Sequence, residues 1–467
     1  MNGTDAGELA IVLHSHMPYV EGFGTWPFGE EWLWESIATS YLPLLELLDA
    51  GAPLTLSLTP VLCDQLEAPG ALARCDAFLT GIRVESHRRD IATAARAGDG
   101  GVVAALEHSA ARYAWARERL AAVSGAEGLL AALGAHASWT SSATHAVLPL
   151  LATGAGVRLQ LRAGIDAHRA RFGAGWGGGL WLPECAYAPW LDRLLEEAGA
   201  RAACVDLTDV LAGDGQLRPL RSPAGPLLVP IDRATIELVW SRGGYPGDPR
   251  YRDYHAFTQH RHRAWSNDGM PYEPARAAAA AHEHAADFVA RVRERLAGGG
   301  LCVFAVDTEL LGDWWHEGPI WLAAVIDEAD RQGLPIVRLD DALTRHVPVP
   351  APVDLPVTSW GTPRDLTTWS APPVAGMAWD ARDAELRAVA AARAGTLDAR
   401  ATRELLALQS SDWAFLVSQR LAEPYGRERA ALHRAALDAA LDAPGEHEPG
   451  VRHLAPRASP GALCEPA

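Results

Sequence analysis

The fold of this chain is decided by residues 300–319, which read GLCVFAVDTELLGDWWHEGP. An apolar run there ends at Asp307, and Glu309, a glycine and two adjacent tryptophans follow it. A short continuous apolar run predicts a buried β-strand, with the polar residues just beyond its carboxyl end. Two acidic side chains are therefore expected at the tip of a buried strand, where the two tryptophans either wall a cleft or pack beneath it.

Six further apolar runs predict buried strands, and Ala-rich amphipathic stretches between them predict helices. Strands that alternate with helices imply parallel β/α units, and over about 350 residues such units predict an α/β barrel. The predicted strands cover 8–20, 53–62, 178–184, 202–207, 226–240 and 335–343, and the predicted helices cover 102–133, 146–171, 187–199, 274–297 and 318–332.

The composition changes after the barrel and predicts further parts of the chain. A proline-rich segment, 348–358, is typical of a linker, and 359–441 has the amphipathic pattern of a small all-α domain. Residues 442–467 are rich in Pro, Gly and Ala without periodicity, which predicts a disordered tail. The barrel is thus expected over 1–347, with helical insertions around 80–135.

Charge and composition exclude several classes of partner. The 467 residues carry a net charge of −17, which disfavours nucleic acid and anionic membranes and is compatible with a neutral substrate. No apolar run reaches transmembrane length and the start lacks a signal-type core, so a cytoplasmic protein is expected. The six cysteines are scattered, which predicts reduced thiols and no zinc knuckle. The 17 tryptophans outnumber both the 9 tyrosines and the 8 phenylalanines taken separately. A tryptophan can stack on a sugar ring or fill the core, and most of the 17 are expected to fill the core.

Polar residues at three predicted strand ends suggest a site. His14 and His16 are two apart on a strand and so share a face, where they could clamp a metal with Asp307 as third ligand or donate to a polar ligand. Glu184 ends the run LWLP; alone it would be a helix first-turn carboxylate, but with Asp307 it makes the pair that glycosidic bond chemistry needs. Such a pair lies about 5–5.5 Å apart in retaining enzymes and about 6.5–9.5 Å apart in inverting ones.

Five ordered motifs resemble glycoside hydrolase family 57, and more narrowly its 1,4-α-glucan branching enzymes. They are HSHMPYV, WPFGEEWLWES, WLPECAY, VDTELLGDWWHEGP and QSSDWAFL, and the resemblance runs from about residue 8 to about residue 435. It implies a (β/α)7-type barrel followed by a helical domain, and retaining double displacement without a metal or cofactor. It also implies an α-1,4-glucan substrate for a monomer or homodimer, with neither nucleic acid nor membrane as partner.

The same resemblance assigns roles to individual residues. Glu184 matches the nucleophile and Asp307 the general acid/base. Tyr245 is the candidate for a flexible-loop tyrosine that assists transfer. The residues expected to bind the glucan are His14, His16, Trp26, Trp32, His145, Tyr245, Trp265, Trp360, Asp412 and Trp413.

Two departures from the family pattern bear on activity. Asp313 replaces a histidine of the usual GHWW, and an extra carboxylate there could raise the pKa of Asp307 or alter a subsite. The segment before the helix at 274 is also shorter than in typical members, which puts branching efficiency in doubt. The alternatives are an α-amylase or 4-α-glucanotransferase, a zinc-dependent deacetylase-like barrel, and a non-catalytic glycan-binding protein.

Overall fold

Parallel strands form a single curved sheet at the centre of the molecule. The computed structural model describes residues 7–23, 29–126, 128–241, 243–445 and 453–464. Within these residues the strands are β1 (Glu8–Ser15), β2 (Thr55–Leu58), β3 (Ala137–Ser141), β4 (Gly179–Trp181), β5 (Ala202–Val205), β6 (Leu220–Arg221), β7 (Leu227–Pro230), β8 (Leu301–Asp307), β9 (Ile336–Val337) and β10 (Val349–Pro350).

Strand order confirms the predicted (β/α)7-type barrel. The order is β10-β6-β7-β5-β4-β3-β2-β1-β8, with β9 also beside β1. Seven of these strands, β1 to β5, β7 and β8, form a parallel half-barrel, whereas β6 is antiparallel to β7. Just beyond β7 the Asp232 N–H donates to the Val303 carbonyl of β8 at 2.8 Å, which brings the two ends of the arc together. Since the strands run parallel, their carboxyl ends meet on one face.

Helices surround this sheet and form a separate layer after it. They are α1 (Glu30–Ser36), α2 (Leu42–Asp49), α3 (Pro60–Glu67), α4 (Ala71–Ala77), α5 (Val84–Ala97), α6 (Gly100–Ala126), α7 (Leu129–Gly134), α8 (Gly154–Phe172), α9 (Asp192–Glu197), α10 (Arg233–Trp240), α11 (Pro274–Arg295), α12 (Gly318–Gln332), α13 (Leu339–Arg345), α14 (Thr367–Ser370), α15 (Ala375–Arg393), α16 (Ala399–Leu408), α17 (Ser411–Ser418) and α18 (Glu423–Asp442). Two π-helical segments, Ile37–Tyr41 and Phe78–Arg83, lie among them. No helix in the described ranges is long and apolar enough to cross a membrane.

Strand β8 is buried because α11 and α12 cover it. Every residue from Leu301 to Val306 is buried, and Phe304 makes edge-to-face contacts with Phe288 of α11 and Trp321 of α12. Burial of one such aromatic side chain stabilises the fold by about 1.5–3 kcal/mol. The strand therefore presents Asp307 from a rigid support.

Two predicted strands continue as helices, and three strands of the described residues, β3, β6 and β10, were not predicted. The run 226–240 continues after β7 as α10, because Asp232 accepts a hydrogen bond from the Thr235 N–H at 3.0 Å and caps the helix. The run 335–343 likewise changes from β9 to α13. Strand β3 reads ASWTS. Its serines and threonine interrupt the apolar pattern, so a search for apolar runs did not identify this buried strand.

The predicted linker and tail are both packed. Within 348–358, β10 pairs with β6, and Thr358 exchanges backbone hydrogen bonds with Tyr187 at 2.8 and 2.9 Å. Proline fits there because an edge strand does not need every N–H. In the tail, Leu454 and Leu463 are buried in the helical-domain core, so 453–464 is ordered where composition predicted disorder.

Candidate active site

Glu184 and Asp307 both stand where parallel strands end. Asp307 is the last residue of β8, and Glu184 follows β4 by three residues. Glu184 has a φ of +61°, and the next residue, Cys185, has a φ of +48°. A left-handed conformation is costly for such residues and is typical of functional sites. This turn directs the Glu184 carboxylate into the face where the strand ends meet.

Neutral donors from two regions hold the Glu184 carboxylate. Trp360 Nε1 donates to Oε2 at 3.0 Å, and Ser411 Oγ, at the start of α17, donates to Oε1 at 2.8 Å. His145 Nδ1 lies 3.6 Å from Oε1. Burial raises the pKa of Glu184, and the Trp360 and Ser411 donors oppose that rise. Among the described residues, the hydrogen bonds that hold this carboxylate come from neutral side chains.

A stack of rings lines the floor of the site. His14 stacks on Trp181 with centroids 4.5 Å apart, and His145 lies 4.0 Å from His16 and 5.0 Å from His14. His14 Nε2 and His145 Nε2 are 3.0 Å apart, so one donates to the other. Burial and neighbouring histidines lower the pKa of both His14 and His145 well below the ordinary value, which keeps this pair neutral.

His16 differs because Asp412 of α17 faces it. Its Nε2 lies 3.0 Å from Asp412 Oδ1. Burial lowers the pKa of His16, but the Asp412 carboxylate, together with the charges of Glu309 and Glu184, outweighs burial, and the net shift is upward. Among the described residues, no group of three or more His, Cys, Asp or Glu side chains could hold a metal ion. The predicted metal alternative had His14, His16 and Asp307 as ligands; here His14 Nε2 and His16 Nε2 hydrogen-bond to other side chains.

Asp307 is surrounded by acidic side chains. Burial, then the charges of Glu309 and Glu184, raise its pKa well above the usual carboxyl range. Glu309 accepts hydrogen bonds from the His16 N–H at 3.0 Å and from the Tyr41 hydroxyl, and burial raises its pKa to about 7. The surroundings of Asp307 therefore favour the protonated form of its carboxyl group.

The structure brings most of the predicted residues together. The contacts above link six of them: His14, His16, His145, Glu184, Trp360 and Asp412. Asp307 belongs to the same group, because the charges of several of these residues act on its carboxyl group. Trp26 lies outside the described residues. Trp32 and Trp265 are half-buried against the barrel core.

Two predicted glucan-binding residues point elsewhere. Trp413 is 1% exposed, and its indole N–H donates to the Ala407 carbonyl at 2.7 Å inside the helical domain. The Tyr245 hydroxyl donates to Asp287 of α11 at 2.6 Å, and its ring stacks on His284. Trp413 is thus a core residue, and Tyr245 packs on the outer side of β8 in this conformation.

Of the two adjacent tryptophans of the opening stretch, one is buried and the other is exposed. Trp315 is buried and packs on Trp321, whereas Trp314 is exposed and stacks on Tyr254 with centroids 4.7 Å apart. Asp313 faces Arg263 and Arg252, whose charges oppose the rise that burial causes in its pKa. The arginines therefore offset part of the effect of burial on the pKa of Asp313. The acidic side chains of Glu309 and Glu184, by contrast, add to the effect of burial on the pKa of Asp307.

Several contributors were not found from the sequence. Ser411 directly precedes the predicted Asp412. Its position at the start of a helix is the sequence feature from which its role could have been predicted. Trp240 stacks on Trp360 with centroids 6.2 Å apart, and both line an open pocket of about 640 Å³ beside Glu184. Trp369 and Phe415 complete the apolar side of this pocket. The arrangement offers an aromatic cleft with two carboxyl groups of unlike proton affinity, as sugar chemistry requires.

Comparison with known proteins agrees with this geometry. Residues 134–353 match the model of glycosyl hydrolase family 57, and residues 384–456 match that of the 1,4-alpha-glucan branching enzyme C-terminal region. A probable 1,4-alpha-glucan branching enzyme of Mycobacterium tuberculosis is 32% identical over 487 aligned positions, which cover 91% of this chain and 90% of that protein.

Solved structures are similar over nearly the whole chain. The family 57 type branching enzyme of Pyrococcus horikoshii has a TM-score of 0.84 at 31% identity, covering 91% of this chain and 88% of that one. The family 57 branching enzyme of Thermococcus kodakaraensis, solved with glucose, has a TM-score of 0.88 at 27% identity and covers 98% and 96%. An α-amylase of Thermotoga maritima shares the fold at 22% identity, with a TM-score of 0.83 over 99% of this chain and all of that one. On this evidence the chain belongs to glycosyl hydrolase family 57.

Proposed function

We propose that this chain is a 1,4-α-glucan branching enzyme, which cleaves an α-1,4 linkage and transfers the released chain to a 6-hydroxyl. The observation that carries the proposal is the contrast between Glu184 and Asp307. Neutral donors stabilise the anion of one, whereas burial and like charges favour the protonated form of the other. The relatives with branching activity in their names support the choice of reaction.

In the first step Glu184 acts as nucleophile. One carboxylate oxygen forms a bond to the anomeric carbon while the bond from that carbon to the glycosidic oxygen breaks. The proton of Asp307 moves to the departing oxygen, which leaves as a 4-hydroxyl. The product is a covalent glucosyl-enzyme on Glu184.

In the second step Asp307 acts as base. It takes the proton of an acceptor 6-hydroxyl while that oxygen attacks the anomeric carbon and the bond to Glu184 breaks. Two inversions give net retention. The Trp360 and Ser411 donors stabilise the carboxylate both before attack and when it leaves.

Water must be kept from the intermediate for transfer to win over hydrolysis. The helical domain contributes Ser411 and Asp412 directly to the site, so this domain forms part of the wall that shields Glu184. Trp240 and Trp360 give the cleft flat apolar faces on which glucose rings can stack.

Hydrolysis or α-1,4 transfer is the second candidate. Either reaction needs the same two carboxyl groups with water or a 4-hydroxyl as acceptor. The engaged Tyr245 hydroxyl favours hydrolysis over either transfer, because a tyrosine bound to Asp287 is not available to assist transfer. We further propose that the enzyme acts in the cytoplasm, in glycogen biosynthesis, as a monomer or homodimer.

The test is an incubation with amylose followed by proton NMR of the α-1,6 and reducing-end signals. Branching predicts growth of α-1,6 linkages with few new reducing ends. New reducing ends without an α-1,6 signal would establish hydrolysis instead. A spectrum in which neither signal grows would refute both branching and hydrolysis and leave α-1,4 transfer, which a change in the chain-length distribution would reveal.

A further inference from the structure

Glu309 is a second carboxylate beyond β8 that the two-step reaction above does not use. Its Oε1 accepts from the His16 N–H at 3.0 Å and from the Tyr41 hydroxyl. Both donors are neutral: one is a backbone amide, and burial followed by the Glu309 charge raises the pKa of Tyr41 far above its usual range. The site therefore fixes the Glu309 carboxylate without cancelling its charge.

The position of Glu309 follows from the strand register. Asp307 is the register partner of His14 across β8 and β1, and the hydroxyl groups of Ser15 and Thr308, the next pair along, are 2.7 Å apart. One residue later the Glu309 carboxylate reaches back to the His16 amide. The two strand ends thus hold Glu309 beside Asp307 by contacts on both sides.

Other charged and titratable groups also face this pair. Two histidines of β1, His14 and His16, face it, and His16 favours the ionised form of Asp307. The other groups lie on other elements: Glu184 after β4, His145 after β3, Asp412 of α17, and Asp313 near Tyr41. Of these groups Glu309 is the neighbouring charge that acts most strongly on Asp307.

We propose that Glu309 is a positioning residue that keeps the transferable proton on Asp307 until the leaving oxygen takes it. This inference rests on the proposed function. Glu309 forms no bond to substrate and donates no proton. It acts because the Glu309 carboxylate, when it is ionised, disfavours a second negative charge on the neighbouring Asp307. The same repulsion makes Asp307 a stronger base once its proton has gone, which assists removal of the 6-hydroxyl proton in the second step.

The test is the pH dependence of kcat/KM on amylose for Glu309→Gln. Glutamine keeps the shape and an acceptor oxygen for His16 and Tyr41, but it removes the charge. The alkaline limb should move to lower pH by about one to two pH units. Glu309→Asp, which keeps an ionisable carboxyl group at this position, should leave most of the alkaline limb in place.

An alkaline limb of Glu309→Gln that coincides with that of the unaltered enzyme would overturn the inference. If Glu309→Gln does not fold, infrared titration of the unaltered enzyme replaces it, with the Asp307 carboxyl band identified by its loss in Asp307→Asn. Persistence of that band above pH 6 supports the inference, and loss near pH 4 contradicts it. Full activity in Glu184→Gln would instead overturn the proposed function, so the two failures are distinguishable.

Discussion

The surroundings of Glu184 and Asp307 differ although both residues end strands of one sheet. Glu184 accepts hydrogen bonds from Trp360 and Ser411, which lie in the chain beyond the barrel, whereas the Asp307 side of the site is formed by β1, β8 and the segment around Tyr41. The Trp360 and Ser411 donors oppose the rise that burial causes in the pKa of Glu184, whereas burial and neighbouring charges raise the pKa of Asp307 well above its usual range. On the proposed mechanism, this difference gives one fold a nucleophile and an acid from the same functional group.

The strongest test of this contrast is Glu184→Gln. An amide cannot form the glucosyl ester, so activity on amylose should fall by about 10⁴-fold or more. Measurement of kcat/KM by the NMR assay checks this. Glu197→Gln on α9 is the matched control, since that side chain pairs with Arg158 and Arg193 on the surface, and it should keep normal activity. Loss of activity in the control as well would point to misfolding.

Asp307→Asn should have a smaller and substrate-dependent effect. Without its acid, the enzyme should cleave amylose about 10²–10⁴-fold more slowly. Formation of the glucosyl-enzyme from an α-glycosyl fluoride should continue, because fluoride leaves without a proton. Burst-phase fluoride release is the measurement. Equal losses on both substrates would contradict the role of Asp307 as proton donor.

Trp360→Phe tests the donors around Glu184. The phenyl ring keeps an aromatic wall, but the N–H that donates to Oε2 is lost, so kcat should fall by about 10–100-fold. That donor lowers the pKa of Glu184. Its removal raises this pKa, so the acidic limb, where Glu184 must be ionised, should move to higher pH. A limb that stays in place would show that Trp360 only stacks on the sugar.

Trp413→Phe should leave the reaction nearly unchanged. Its indole is buried in the helical domain, so the variant should lose stability by about 1–3 kcal/mol while kcat and KM stay within about twofold. Thermal unfolding and the NMR assay measure the two effects. A raised KM at unchanged stability would instead indicate that Trp413 contacts the glucan.

Local sequence predicts strand ends well and side-chain direction poorly. The apolar runs before Asp307 and Glu184 located both residues, because a buried strand in a parallel sheet ends at the functional face. Asp412 and Trp413 are adjacent in the same motif, yet consecutive positions on a helix point about 100° apart. One therefore reaches His16 and the other the core of the helical domain. Likewise the pairing of Tyr41 with Glu309 joins residues 268 positions apart, which no local pattern reveals.

The proline-rich segment 348–358 has a consequence for modularity. It contains strand β10 and packs against the barrel. The chain that follows it places Trp360 and then Ser411 next to the Glu184 carboxylate of the barrel. A cut at this boundary would separate the nucleophile from its donors. An exchange of the helical domain between relatives would succeed only where the new domain places equivalent donors opposite Glu184 and an acid opposite His16. On the proposed mechanism, the barrel and the helical domain therefore work as one catalytic unit, although composition divides them.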